Sequence, residues 1–135
     1  MLTPRKLSNN NFLSSIDISK EDLIYIFQLA KKFKNESLKI HLKDKVLGLI
    51  FDKSSTRTRV SFQVAMSRLG GTTIDLNPTT SQIGRGEPIK DTARVLSRYC
   101  DVLAIRTYKQ EDLVEYSKWF SKPVINALTD YEHPC

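Results

Sequence analysis

The sequence is short of the residues that mark several whole classes of protein. Its two cysteines, Cys100 and Cys135, supply neither a disulfide framework nor a zinc-ligand spacing. Both are expected to be free thiols, buried or in loops, in a reducing compartment. No apolar run approaches the roughly 20 residues that a membrane-spanning helix needs. The start, Met1-Leu2-Thr3-Pro4-Arg5-Lys6, leads into Ser8-Asn9-Asn10-Asn11 without the apolar stretch of a secretory signal, so a cytoplasmic protein is expected. Acidic residues are the minority, 15 against 21 Lys and Arg, and the resulting net charge of +6 favours anionic partners. Charge alone does not choose among nucleic acid, acidic lipid and small phosphorylated molecules. What remains is a globular balance: 40% hydrophobic residues argue against disorder, and 135 residues suit one domain rather than two.

No internal repeat or low-complexity segment is present. Ser19-Lys20-Glu21-Asp22 has the form of a capping box. Behind it Leu23, Ile26, Phe27 and Ala30 fall on one face of an amphipathic helix, and Lys31, Lys32 and Lys34 suit its negative end. Residues 46–51 are a short apolar run, readable as a buried parallel strand. Phe62, Ala65, Met66 and Leu69 then repeat the helical spacing and stop at Gly70-Gly71. Residues 72–76, 101–105 and 123–126 read as three further strands. Helices marked by Ile89, Thr92, Ala93 and Leu96, and by Leu113, Tyr116, Ser117 and Phe120, lie between them. This alternation predicts an α/β fold with a parallel sheet and helices on both faces, an α/β/α arrangement of three layers. Ligands of such sheets sit outside the carboxyl ends of the strands, which directs attention to the loops after Phe51, Leu76, Ile105 and Asn126.

The first of these loops is the richest. Asp52-Lys53-Ser54-Ser55-Thr56-Arg57-Thr58-Arg59 runs straight into a helix. A helix N-terminus exposes unpaired N–H groups and the positive end of the dipole, which together bind anions. Ser55, Thr56 and Thr58 add hydroxyls, and Arg57 adds a planar fork able to grip two phosphate oxygens. Two plainer readings stay open on pattern alone. Ser55 or Thr56 could merely cap the helix while the arginines are solvated or salt-bridged. Alternatively, Arg57, Arg59 and Arg68 could form a nucleic-acid stripe, although Phe62, the one stacking aromatic nearby, has a core phase. Gly84 and Gly86 equally read as a flexible loop, Arg106 and His133 as surface residues, and His41 as surface.

The string Phe51-x-Lys53-Ser-Ser-Thr-Arg-Thr-Arg59-x-Ser61-Phe62, followed by Arg68-Leu-Gly-Gly71, resembles the signature of the aspartate and ornithine carbamoyltransferases. The resemblance implies that residues 1–135 form a carbamoyl-phosphate-binding domain with a four-stranded parallel sheet in the order 2-1-3-4. It implies that Ser55, Thr56, Arg57 and Thr58 bind the phosphate, that Thr58 also reaches the carbonyl oxygen, and that Arg106 faces them across the crevice. Ser81-Gln-Ile-Gly-Arg-Gly-Glu87 is similar to the ornithine branch, with Gln82 a phosphate ligand offered to a neighbouring subunit of a homotrimer. Asn126-Ala-Leu-Thr-Asp130 and His133-Pro-Cys135 resemble the same branch, with His133 on the carbamoyl oxygen.

The reaction so implied moves the carbamoyl group of carbamoyl phosphate to the δ-amine of ornithine, giving citrulline and phosphate in arginine biosynthesis. Thr58, Arg106 and His133 are then the catalytic donors, and no metal, organic cofactor, nucleic acid or membrane is expected to take part. The resemblance covers about the first half of the family's length. Ornithine would bind only with a second domain, whose motifs have no counterpart here, so the chain is expected to be truncated and inactive alone. Gln82 and Cys135 argue against an aspartate enzyme. A carbamoyltransferase acting on putrescine or an acylated ornithine, or a non-catalytic phosphate-binding module, remains an alternative.

Overall fold

Four short apolar strands form one parallel sheet in the order β2-β1-β3-β4, as the alternation of elements and the family resemblance lead one to expect. In the computed structural model, which describes residues 5–36 and 39–135, the strands are β1 (Val46–Phe51), β2 (Thr72–Leu76), β3 (Val102–Arg106) and β4 (Val124–Leu128). The helices are α1 (Lys20–Lys34), α2 (Arg57–Arg68), α3 (Ile89–Leu96) and α4 (Gln110–Trp119). Of the polar start, residues 1–4 lie outside the described part.

Alternation along the strands divides the core in two. Ile50, Leu103, Ile105 and Val124 pack with Ala93, Leu96, Leu113, Tyr116 and Phe120 under α3 and α4. Leu47, Leu49, Phe51, Ala104 and Ala127 face the other way, toward Phe62 and Met66 of α2. Helices therefore cover both faces, and the central strand β1 is buried from Leu47 through Phe51. At its carboxyl end Ile50 pairs with Leu76 and Phe51 with Arg106, and Arg106 in turn pairs with Leu128. The ends of β1, β3 and β4 thus lie side by side. Among the described residues no helix is long and apolar enough to cross a membrane.

The structure departs from the sequence reading at four points. Arg106 is the last residue of β3 rather than the first after it. β4 runs on to Leu128, with a register shift between Ile105 and Arg106 and a φ of 144° at Leu128. Ser19 does cap α1, accepting the Asp22 N–H at 3.1 Å, but the box is only half made. The Asp22 carboxylate turns away to the Ser8 N–H and hydroxyl and to Arg5, and a reciprocal box forms instead between Ser14 and Asp17. Finally, α1 forms, but its apolar stripe is not core: Phe27 is 63% exposed, and Asp22 is the helix's one buried residue.

Candidate functional site

The loop after β1 is held to the neighbouring strand from its first residue, because the Asp52 N–H donates to the Arg106 carbonyl at 2.8 Å. Five residues later, at Arg57, α2 begins. Thr56 occupies the N-cap position in helical conformation, and its side chain makes no capping bond. Its carbonyl accepts the Val60 N–H at 3.0 Å, so the ladder starts normally while the N–H groups of the first turn keep no side-chain partner. The plain capping role for Thr56 therefore finds no support. An uncapped N-terminus with Ser55, Thr56 and Thr58 around it is a candidate anion seat.

Four cations surround this turn, and they divide into two kinds. Lys53 pairs with Asp130, and its ammonium lies 4.6 Å from the centre of the Tyr108 ring. Arg59 pairs with Asp75 on β2, and its guanidinium lies 4.9 Å from the Phe51 ring centre. The guanidinium of Arg57, by contrast, is exposed and has no hydrogen bond or ion pair among the described residues. Arg106 is half-buried, and its Nε is buried with no hydrogen-bond partner among the described residues. A buried orphan donor is rare enough to call for a missing partner. Strand alternation sends Arg106 to the same face as Ala104, the face that α2 covers. Arg57 and Arg106 are thus the two charges left over for a ligand. Of the residues named for a nucleic-acid stripe, Arg59 is paired with Asp75 and Phe62 packs against the core.

The loop after β4 is built the opposite way. Asn126, fully buried on β4, donates through Nδ2 to the carbonyls of Leu13 (2.9 Å) and Glu132 (3.3 Å), while its Oδ1 accepts the Leu128 N–H at 2.8 Å. The Thr129 hydroxyl donates to Gln110 Oε1 at 2.7 Å and accepts the Glu132 N–H at 3.2 Å. The Glu132 carboxylate accepts from the Ser14 hydroxyl and from the Ser15 N–H. Hydrogen bonds from Ser14 and then Ser15 hold that carboxyl below the usual carboxylate range. His133, next in sequence, is exposed, and the Cys135 thiol donates to the Asn126 carbonyl at 3.0 Å.

Ser55, Thr56, Arg57 and Thr58 therefore share one turn, Arg106 lies in the adjacent strand row, and His133 follows an anchored loop one strand further on. Gln82 is the exception. It opens a separate 3-10 turn, Gln82–Arg85, and no hydrogen bond joins it to the turn after β1 among the described residues. The glycines of that loop are required by structure, Gly84 by packing and Gly86 by backbone conformation. A Cβ on Gly84 would stand 1.7 Å from the Pro78 carbonyl oxygen, and Gly86 has a φ of +84°. An apolar groove of about 470 Å³, lined by Val46, Leu47, Phe62, Met66, Val102 and Ile125, lies at the amino ends of the strands, away from these residues. No group of three or more His, Cys, Asp and Glu converges among the described residues. Sequence reasoning missed the Lys53–Asp130 pair and the Asn126, Gln110 and Glu132 network. Asn126 carried a usable signal, as a lone amide inside the apolar run Val124-Ile-Asn-Ala-Leu128.

A family model described as aspartate/ornithine carbamoyltransferase, carbamoyl-P binding domain, matches residues 10–135. The chain belongs to the aspartate/ornithine carbamoyltransferase family. It is 74% identical over its whole length to an ornithine carbamoyltransferase of Prochlorococcus marinus subsp. pastoris, of which it spans 44%. The crystal structure of ornithine carbamoyltransferase from Gloeobacter violaceus matches 96% of the chain with a TM-score of 0.86 at 49% identity, the match taking in 42% of that enzyme. An aspartate transcarbamoylase from Trypanosoma cruzi, solved with N-(phosphonacetyl)-L-aspartic acid, matches 95% of the chain at TM-score 0.83 and 31% identity, over 41% of its own length. The chain thus spans less than half the length of these carbamoyltransferases.

Proposed function

We propose that this domain binds carbamoyl phosphate and serves its transfer to the δ-amine of ornithine, giving citrulline and phosphate. One observation carries the reading: two guanidiniums without a hydrogen bond or ion pair among the described residues, Arg57 in the first turn of the uncapped helix after β1 and Arg106 at the end of the adjacent strand β3. An oxyanion with several acceptor oxygens suits that donor set. Ser55, Thr56, Arg57 and Thr58 hold the phosphate. Thr58, Arg106 and His133 donate to the carbonyl oxygen. The neutral amine attacks the carbonyl carbon and negative charge gathers on that oxygen; the carbon–oxygen bond to phosphate then breaks as a proton passes from the attacking nitrogen to the departing phosphate, which leaves as the dianion stabilised by Arg57. One well-aimed donor to such an oxyanion is worth about 3–4 kcal/mol.

The ornithine branch is favoured by 74% and 49% identity to ornithine enzymes against 31% to the aspartate enzyme. Residues 1–135 form the carbamoyl phosphate half of the site, and the ornithine wall lies in a second domain. Gln82 completes the phosphate site of a neighbouring subunit in a homotrimer, which agrees with its separation from the turn in one chain. The setting is cytoplasmic arginine biosynthesis. Calorimetric titration with carbamoyl phosphate, beside Arg57→Ala, tests the assignment. Binding in the folded wild type with marked loss in the variant is expected. Equal binding in both, or none in the wild type, rejects it.

A further inference from the structure

The phosphate turn is gripped from its side by a residue given no role so far. Lys53, just before the turn, crosses to the loop after β4 and pairs with Asp130, 77 residues away in sequence. Its ammonium also lies over Tyr108, in the loop after β3, and the Asp130 N–H donates to the Tyr108 carbonyl at 2.9 Å. One side chain therefore joins three of the four loops at the carboxyl edge of the sheet. It is only 22% exposed, although a lone lysine would normally extend into water.

We propose that Lys53 is a positioning residue, whose pairing with Asp130 over Tyr108 locks the loops after β1, β3 and β4 together so that the anion meets a preset cradle. The proposal rests on the carbamoyl phosphate reading of the same site. The rival role for Lys53 is that of a free positive charge attracting the anion. Loss of Lys53 weakens binding on either account, so Asp130 decides between them. If Lys53 were an attractor, Asp130 would oppose it, and removing the aspartate's charge would tighten anion binding. If Lys53 is a clasp, losing Asp130 releases Lys53 and with it the loop after β1 from the anchored loop after β4, the ligand must order the freed loop, and binding weakens.

The test is calorimetric titration of the full chain with carbamoyl phosphate and, separately, inorganic phosphate. The proteins are wild type, Lys53→Met, Lys53→Arg, Asp130→Asn and the double variant K53M/D130N, with Arg57→Ala as reference. Lys53→Met and Asp130→Asn should each weaken binding about three- to tenfold, with no further loss in the double variant. Lys53→Arg should stay near wild type, because a guanidinium also pairs with carboxylate and stacks on the ring. Unchanged or tighter binding in Asp130→Asn, or additive losses in the double variant, overturns the clasp. If Arg57→Ala still loses binding in that case, the phosphate reading survives without it. If Arg57→Ala binds like wild type, the phosphate reading fails and takes the clasp with it. Circular-dichroism melts check folding, and Asp130, 64% exposed, supplies a variant that does not disturb the core should Lys53→Met unfold.

Discussion

The loops after β1 and β4 sit at the same edge of the same sheet and treat their polar groups in opposite ways. In the loop after β4 nearly every polar group is answered from within the chain: Asn126 by Leu13, Leu128 and Glu132, Thr129 by Gln110, and Glu132 by Ser14 and Ser15. In the loop after β1 the hydroxyl of the N-cap residue makes no cap, and Arg57 has no partner among the described residues. A satisfied buried network rigidifies, whereas an unanswered donor set waits for a ligand. The loop after β4 is scaffold, and the loop after β1 is the candidate site.

The largest effect should come from the scaffold. Asn126→Ala leaves the Leu13 carbonyl, the Glu132 carbonyl and the Leu128 N–H without their partner, and should cost about 2–4 kcal/mol in urea unfolding. A loss under about 1 kcal/mol would mean that the network does not hold the loop. Arg57→Ala should do the reverse. Affinity for carbamoyl phosphate should fall about 10- to 100-fold, the worth of a charge-assisted contact, while the melting temperature stays put.

A pH series sharpens the contrast further. The Glu132 carboxyl is held low by Ser14 and Ser15, so its stabilisation is fully present above the ordinary glutamate value of about 4.3 and is lost as pH falls through the depressed folded value. Asp22, lowered by the Ser8 hydrogen bonds, and Asp101, lowered by the Val46 N–H, titrate in the same direction. Glu132→Gln should therefore remove part of the acid sensitivity and leave part. Urea midpoints of both proteins across the acid range would show it, and parallel curves would refute it. The smallest effect belongs to Thr56→Ala. A true capping threonine is worth about 1 kcal/mol, but this one makes no cap bond, so stability should change by less than about 0.5 kcal/mol.

The fold was legible because its signals are local. The apolar run at residues 46–51, the helical spacing from Phe62 to Leu69 and the Gly70-Gly71 stop each report on a few neighbours, and each element formed where expected. The candidate phosphate turn is legible for the same reason, being one contiguous string. Its supports are not. Lys53 meets Asp130 across 77 residues, and Asn126 meets Leu13 across 113. Such pairings depend on strand order, which no window of sequence contains. The half-made capping box shows the same limit, since Asp22 had a local partner in Ser19 but took Ser8 and Arg5 instead. The stripe on α1 has the spacing of a buried face, yet spacing does not say what covers a face, and Leu23 and Phe27 are exposed.

Amide shifts of the 15N-labelled chain during titration with carbamoyl phosphate test the central claim most directly. The account predicts that the largest changes fall on the N–H groups at residues 55–58 and on Arg106, with residues lining the apolar groove, such as Val46 and Val102, unmoved. Shifts centred on that groove, or spread evenly along the chain, would contradict it.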